Sequence, residues 1–274
     1  MSAIQKITLL KKKAPCTDFH KTPLCFEARK AAQLKGLRRL LKLDEKVKLR
    51  NFSGDIHRHL HAEVPSADEK WIMFLFVILF LDLICGIPLF VNGQRIFTIL
   101  ASPLIVLINL WTCIVMFLKS SFRNDLHFTL FKGSAGAVVS ICYFVLSQKY
   151  AFSILGFNFL FMSSSLLTYI IVILGLVRHY LIVLPDYKRK EKNAPVWGTY
   201  LFTLGPAIGY MAAQFIFHFS DSVVNLFMSF IYLMLGCTFS YFGVKFIHKF
   251  FFIRANQNII DRHLYKGINR DGRK

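Results

Sequence analysis

Six blocks of apolar residues, separated by short polar stretches, dominate the chain from residue 71 to residue 243. They cover residues 71–89, 96–118, 129–147, 152–177, 196–218 and 223–243. Each block is long enough to cross a hydrocarbon core of about 30 Å at about 1.5 Å per residue. The pattern predicts an all-α, polytopic membrane bundle of about six transmembrane helices. Lys132 and the small residues after it dilute the third block, so five or seven spans remain alternatives.

Composition excludes three other classes of protein. Of the 274 residues, 55% are hydrophobic and 15% aromatic, so the chain has ample apolar surface to bury and is not disordered. A soluble domain would show amphipathic stripes rather than continuous blocks. The six cysteines are too few and too scattered for a disulfide scaffold. An integral membrane protein remains.

The basic residues fall almost entirely on one side of the predicted membrane. Of the 34 lysines and arginines, 32 precede the first block or follow the second, fourth or sixth, and the exceptions are Arg95 and Lys149. Connections rich in these residues stay on the cytoplasmic side, or on the matrix side in an organelle. We therefore expect both termini inside, in a plasma or inner membrane or in an organellar membrane.

The charge pattern also divides the chain into three segments, with a formal net charge of +19 overall. They are a basic inner-face segment (residues 1–70), the six-helix membrane domain (71–243) and a basic juxtamembrane tail (244–274). Residues 26–51 predict a basic amphipathic helix, because leucines share one arc and cations fill the next. Such a helix binds anionic lipid headgroups or an acidic partner, and no nucleic-acid motif accompanies it. Its cations are Lys35, Arg38, Arg39, Lys42 and Lys46.

A histidine-rich tract follows that helix. An extended backbone would place His57, His59 and His61 on one side, in an arrangement that can ligate a metal. The alternative is a juxtamembrane linker whose histidines meet lipid headgroups. We favour the linker, because a short histidine-rich tract is only compositional evidence and no cysteine pair accompanies it. No cofactor is expected.

Asp82 is the ionisable residue near the middle of a block. An aspartate at a helix centre costs about 2.5–3.5 kcal/mol on translocon scales, so it should face the bundle interior with a polar partner. We favour an interhelical hydrogen-bond clamp, and a proton- or ion-coupling site is the alternative. The candidate partners, one amide in each of four other blocks, are Asn109, Asn158, Gln214 and Asn225.

The fifth block carries a small-residue motif. Gly205, Gly209 and Ala213 are spaced by four residues, so they form a smooth stripe that another helix can approach closely. Pro206 removes a backbone hydrogen bond and should kink this helix. The third and sixth blocks carry the same spacing as Gly136 with Ser140 and Gly236 with Ser240. The motif predicts helix packing in either class of membrane protein.

Two functional hypotheses follow from these patterns. The first is a non-catalytic integral subunit or scaffold of a larger membrane assembly, whose basic inner-face tails bind partner subunits or anionic lipid. The second is a transporter or channel with a polar site around Asp82. An enzyme is disfavoured, because only 15 acidic residues occur and eight of them precede residue 71. Paired intramembrane carboxylates cannot readily be built from the rest.

Overall fold

Five long helices make up the part of the chain that the structure describes. The computed structural model describes residues 66–91, 94–117, 122–183, 209, 211, 214, 216 and 218–257. All five helices are long and apolar enough to span a membrane, which makes the chain a multi-pass integral membrane protein. In chain order they are α1 (Ala67–Phe90), α2 (Arg95–Phe117), α3 (Phe122–Leu155), α4 (Phe159–Arg178) and α5 (Asp221–Ala255).

The predicted all-helical membrane class is confirmed for these residues, and five of the six apolar blocks coincide with helices. The block at 196–218 lies largely outside the described residues, so the total of six helices stays a prediction. The amphipathic helix of residues 26–51 and the histidine tract also lie outside them.

The boundary between α3 and α4 differs from the prediction. The fourth block was expected to begin at Phe152, but residues up to Leu155 complete the last turn of α3. Gly156 then ends α3 with a left-handed φ of +59°, which glycine adopts without steric penalty. Asn158 begins α4, where its side chain accepts a hydrogen bond from the Phe161 amide at 3.2 Å. Hydropathy averaged over a whole block does not reveal this turn, because the apolar residues on both sides outweigh Gly156 and Asn158.

The first helix begins four residues before its predicted block, at a capping motif. Ser66 Oγ accepts a hydrogen bond from the Glu69 amide at 3.1 Å, and Asp68 adds negative charge to the first turn. Both features satisfy or stabilise the exposed amides at a helix N-terminus. The middle of α1, Val77–Gly86, winds as a π-helix before Ile87–Phe90 returns to α geometry. Asp82 lies in this π-helical segment.

The third helix lies at the centre of the described bundle. Of its most apolar stretch, 67% is buried inside the protein, against 28% for α1 and α2 and 11% for α4. The buried side chains on α3 include Phe131, Val139, Cys142, Tyr143 and Leu146. Because α3 supplies most of the protein-facing surface, α1, α2 and α5 are held chiefly by what they contact on it, whereas α4 packs mainly on α5.

Glycines bring α3 and α5 into near backbone contact. A Cβ added to Gly136 would lie 2.9 Å from the Gly243 amide nitrogen, and one added to Gly133 would lie 2.7 Å from the Ile247 amide nitrogen. Separations below 3 Å leave no room for a methyl group, so this crossing requires glycine. The small-residue spacing that the sequence shows in these two helices is therefore used between them.

The last helix is longer than a membrane is thick. Its 35 residues extend over about 52 Å at 1.5 Å per residue, against a hydrocarbon core of about 30 Å. The apolar block ended at residue 243, and the structure continues the same helix to Ala255. His248 and Phe252 are buried in this extension, and their rings stack with centroids 5.6 Å apart.

Candidate functional site

Asp82 of α1 is paired with Asn109 of α2. Asn109 Nδ2 donates a hydrogen bond to Asp82 Oδ1 at 2.8 Å, and both side chains are half-buried. The bond joins two consecutive helices in their membrane-spanning parts. An amide donor satisfies one carboxyl oxygen that would otherwise meet hydrocarbon, which is the arrangement expected of an interhelical clamp.

The other three predicted amides lie elsewhere. Asn158 caps the N-terminus of α4, where its side chain accepts a hydrogen bond from the Phe161 amide. Gln214 is exposed, and Asn225 is half-buried in the second turn of α5. Within the part of the chain that the structure describes, Asn109 alone among the four amides is bonded to Asp82. The predicted cluster of five residues is thus reduced to one pair.

A seam of hydroxyl groups joins α3 to α5 and α4. Ser140 Oγ lies 2.6 Å from Ser240 Oγ and 2.7 Å from Tyr169 Oη, and it also lies 2.6 Å from the Gly236 carbonyl oxygen, to which it can donate. Farther along, Ser229 Oγ donates to the Ser147 carbonyl at 2.8 Å. Polar atoms in hydrocarbon need such partners, and the same bonds fix the rotation of three helices against one another.

One further polar contact joins α3 to α4. Gln148 Nε2 donates to Ser165 Oγ at 2.9 Å, and both residues are buried. Ser165 in turn donates to the Phe161 carbonyl of its own helix at 2.8 Å. Hydrogen bonds therefore tie α4 to α3, while its packing contacts are mainly with α5, where the Phe161 and Phe230 rings lie 6.0 Å apart.

Lys149 is bound by the C-terminal end of α1. Its Nζ donates to the carbonyl oxygens of Pro88, Leu89 and Val91 at 2.8, 2.9 and 2.7 Å, which satisfies all three ammonium protons. The residue is only 7% exposed. Carbonyls at a helix C-terminus lack intrahelical partners and carry partial negative charge, so they suit a cation. Thr98 of α2 also donates to Leu89 at 2.8 Å.

Sequence reasoning missed this role of Lys149. It was assigned to the connection between the third and fourth blocks, whereas it lies inside α3 and is buried. One signal was present in the sequence: Lys149 and Arg95 are the two cations that do not fall on the basic side. A cation there needs a specific anionic or carbonyl partner, but the sequence alone does not say which.

A second lysine links α3 to α1 at the opposite end of the bundle. Lys132 Nζ lies 3.2 Å from Glu69 Oε2 and 4.5 Å from the centre of the Phe128 ring. The two side chains of the ion pair are 19% and 32% exposed. We call this the basic end, because Lys245 and Arg254 of α5 and Arg178 of α4 also lie there. Two lysines of α3, Lys132 and Lys149, thus bind the two ends of α1.

Aromatic rings fill the space between α1, α3 and α5. The Phe239 ring lies 5.2 Å from Phe80 and 5.4 Å from Tyr143, and Tyr232 continues the stack toward Tyr150 at 5.4 Å. Tyr143 Oη donates to the Phe80 carbonyl at 3.0 Å, in the π-helical segment of α1. Stacked aromatic pairs add to packing beyond the area they bury.

The small-residue motif of the fifth block makes no close contact at its one described position. No described atom lies within 4 Å of a Cβ added to Gly209, so the helix contact predicted there is not made with the described residues and stays a prediction for the rest of the chain. Gly205, Pro206 and Ala213 lie outside the described residues.

No group of three metal-ligating side chains occurs among the described residues. The cysteines of α1 and α3, Cys85 and Cys142, are buried thiols in the apolar core. His57, His59 and His61 lie outside the described residues, as do Lys35, Arg38, Arg39, Lys42 and Lys46. The metal and lipid-binding interpretations of those residues stay predictions.

No protein-family model, no curated protein and no solved structure matches this chain.

Proposed function

We propose that this protein is a non-catalytic integral subunit or scaffold of a larger membrane assembly. One observation carries the proposal: Asp82 is held by Asn109 in a direct hydrogen bond of 2.8 Å. A carboxyl group engaged by a neighbouring helix serves helix association. The hydroxyls of the α3–α5 seam and the ammonium of Lys149 are likewise used between helices. Much of the surface of the other helices remains exposed, and it is available to lipid and to partner subunits.

The basic inner-face segments supply the proposed attachment. The sequence puts 16 cations before residue 71 and eight from Lys245 onward. Anionic headgroups attract such segments with about 1 kcal/mol per cation near the surface. An acidic face of a neighbouring subunit would be attracted in the same way, and either interaction would weaken with salt.

Purification of the full chain from its own membrane in a mild detergent tests the proposal. We expect a defined set of other membrane proteins to co-purify in constant ratio, identified by mass spectrometry. A chain that purifies alone from membranes solubilised under several mild conditions would contradict the subunit role.

A transporter or channel is the second candidate, and the winding of α1 favours it. Asp82 lies within the π-helical stretch Val77–Gly86, and π-helical turns occur frequently at functional sites. A half-buried carboxyl there could bind a proton or a cation. Flux into liposomes that contain only this chain would support this candidate over the subunit role.

Two substitutions of Asp82 separate the candidates. If Asp82 is a clamp, Asp82→Asn should change the free energy of unfolding by less than about 0.5 kcal/mol, because an amide still accepts a hydrogen bond from Asn109. Asp82→Leu should lower it by about 1–2 kcal/mol, since the interhelical bond is lost. Unfolding in mixed micelles, followed by tryptophan fluorescence, measures both.

Asn109→Leu provides the matched control, because it removes the donor of the same hydrogen bond and leaves Asp82 in place. A normal unfolding profile combined with loss of proton- or cation-dependent flux in Asp82→Asn would reject the clamp and favour transport.

Membrane orientation is a separate prediction, based on the 32 of 34 cations assigned to one side. Cysteines placed at Phe157 and Ser220, which are exposed at the end of the bundle opposite the basic end, should react with an impermeant thiol reagent from outside. A cysteine at Lys190 should stay unlabelled in sealed cells or organelles. Labelling of Lys190→Cys, without labelling of the cysteines at positions 157 and 220, would show that the orientation is the opposite of the predicted one.

A further inference from the structure

Two lysines of the basic end flank one aromatic ring. The Nζ atoms of Lys132 in α3 and Lys245 in α5 lie 5.8 and 6.0 Å from the centre of the Phe246 ring. Because both distances are measured from the same point, the two ammonium groups are separated by no more than their sum. Each ammonium is carried on a flexible four-carbon stem, so both can turn toward one ligand. We call these three residues the paired-lysine site.

The paired-lysine site lies at the depth of the lipid headgroups. Lys132 is 23 residues from Leu155 at the other end of α3, and Lys245 is 24 residues from Asp221 at the other end of α5. At about 1.5 Å per residue, each lysine lies about 35 Å from that opposite end. The hydrocarbon core is about 30 Å thick, so the two ammonium groups lie just beyond it. Lysines and aromatic rings at this depth contact headgroups.

The positive charge of the site is only partly neutralised among the described residues. Lys132 is paired with Glu69 at 3.2 Å, whereas Lys245 contacts aromatic rings and makes no ion pair with a described carboxylate. The rest of the sequence assigned to this side adds further positive charge, since residues 1–70 carry 16 cations against eight anions. A neutralising anion is therefore expected from outside the chain.

We propose that Lys132 and Lys245 bind the phosphate group of one anionic phospholipid in the leaflet at the basic end. Lysine binds phosphate as a point charge, and the cytoplasmic leaflet is the one that carries anionic lipids. The depth of the site favours a lipid over an acidic protein segment, because headgroups occupy this layer on every lipid-facing side of the bundle. The inference deepens the proposed attachment to lipid and rests on it.

The charges of the site favour one class of headgroup. The two ammonium groups and the Glu69 carboxylate together leave one positive charge, which a single phosphodiester neutralises. Phosphatidylglycerol provides that charge and nothing cationic. Phosphatidylcholine would bring its own cation toward two lysines, so it should bind more weakly.

Native mass spectrometry of the full chain in a neutral detergent tests the proposal by counting bound lipids. We expect one phosphatidylglycerol to bind about five- to tenfold more tightly than phosphatidylcholine. Lys245→Gln should weaken phosphatidylglycerol about fivefold, which is the effect of one cation near an anionic lipid surface. Lys245→Arg should retain the affinity because it keeps the charge.

Arg254→Gln is the matched control, because it removes the same charge from the same helix at the same end. Arg254 is exposed and lies nine residues beyond Lys245, about 14 Å farther from the hydrocarbon. The headgroup layer is only about 5–8 Å thick, so this variant should leave the affinity unchanged. Inorganic phosphate in large excess should not displace the lipid, since it lacks acyl chains.

Four results would overturn the proposal. They are equal affinity for the two lipids, an equal loss in Arg254→Gln, displacement by inorganic phosphate, and loss of a co-purifying protein in Lys245→Gln with lipid binding unchanged. The last result would assign the site to a protein partner.

The test is distinguishable from that of the proposed function. A chain that co-purifies with other subunits but shows no preference for phosphatidylglycerol would contradict the lipid site alone. A chain that purifies alone and keeps the preference would contradict the subunit role alone.

Discussion

Replacing Gly243 with alanine is expected to lower the free energy of unfolding by about 3 kcal/mol, at the upper end of the usual effect of overpacking. The added Cβ would lie 2.9 Å from the Ala137 amide nitrogen and 3.1 Å from its Cα. Both atoms belong to the backbone of α3, so no side chain can rotate away. The α3–α5 crossing would have to open, which would also stretch the hydrogen bonds between Ser140 and Ser240. Unfolding of the purified chain in mixed micelles measures the loss.

Gly175→Ala is the matched control for this prediction. Gly175 lies in α4 and no atom of the described residues lies within 4 Å of an added Cβ, so the substitution meets none of them. Alanine is favoured over glycine in a helix by about 1 kcal/mol, so the control should be neutral or slightly stabilising. Equal destabilisation by the two variants would mean that the close α3–α5 crossing does not govern stability.

Lys149→Met should also lower the free energy of unfolding by about 3 kcal/mol, because hydrogen bonds to a charged group contribute more than neutral ones. Methionine keeps the length of the side chain but removes all three bonds to α1. The carbonyls of Pro88, Leu89 and Val91 would then lose a partner in a site where Lys149 is 7% exposed. Unfolding of the purified chain in mixed micelles measures this loss as well. We expect α1 to separate from α3 before the other helices do.

Lys132→Met provides the comparison within the same helix. Lys132 also links α3 to α1, but its ion pair with Glu69 is partly exposed, and such pairs contribute about 1 kcal/mol or less. We therefore expect the loss at Lys149 to be about three times that at Lys132. A larger effect at Lys132 would contradict the assignment of the main α1–α3 link to the carbonyl site.

Hydropathy located all five described helices, and it placed both ends of α1 and α2 within four residues, because membrane burial acts on every residue of a span. It failed between α3 and α4, where the decisive residues are Gly156 and Asn158. Their effect is local backbone geometry and capping, which an average over about 20 apolar residues does not detect. The N-terminus of α1 shows the reverse case, since Ser66 and Glu69 form a capping pattern that can be found in the sequence.

The candidate site was less predictable than the helices. The sequence indicated that Asp82 needs a polar partner and offered four amides of equal standing. Choosing Asn109 requires the rotation of α2 about its own axis, which is set by side-chain packing across the bundle. The small-residue motifs show the same limit. Gly136 and Gly243 meet in the structure, whereas no described atom lies within 4 Å of a Cβ added to Gly209.

The sequence by itself determined that this chain is a helical, multi-pass membrane protein, because the transfer of long apolar segments into lipid depends on composition alone. It also determined that Asp82 needs a partner, since a carboxyl in hydrocarbon is unfavourable wherever it lies along the chain. Only the tertiary structure decided which groups meet: Asp82 with Asn109, Lys149 with the end of α1, and the glycines of α3 with those of α5. These pairings depend on helix rotation and crossing distance, which arise from many weak contacts distant in sequence.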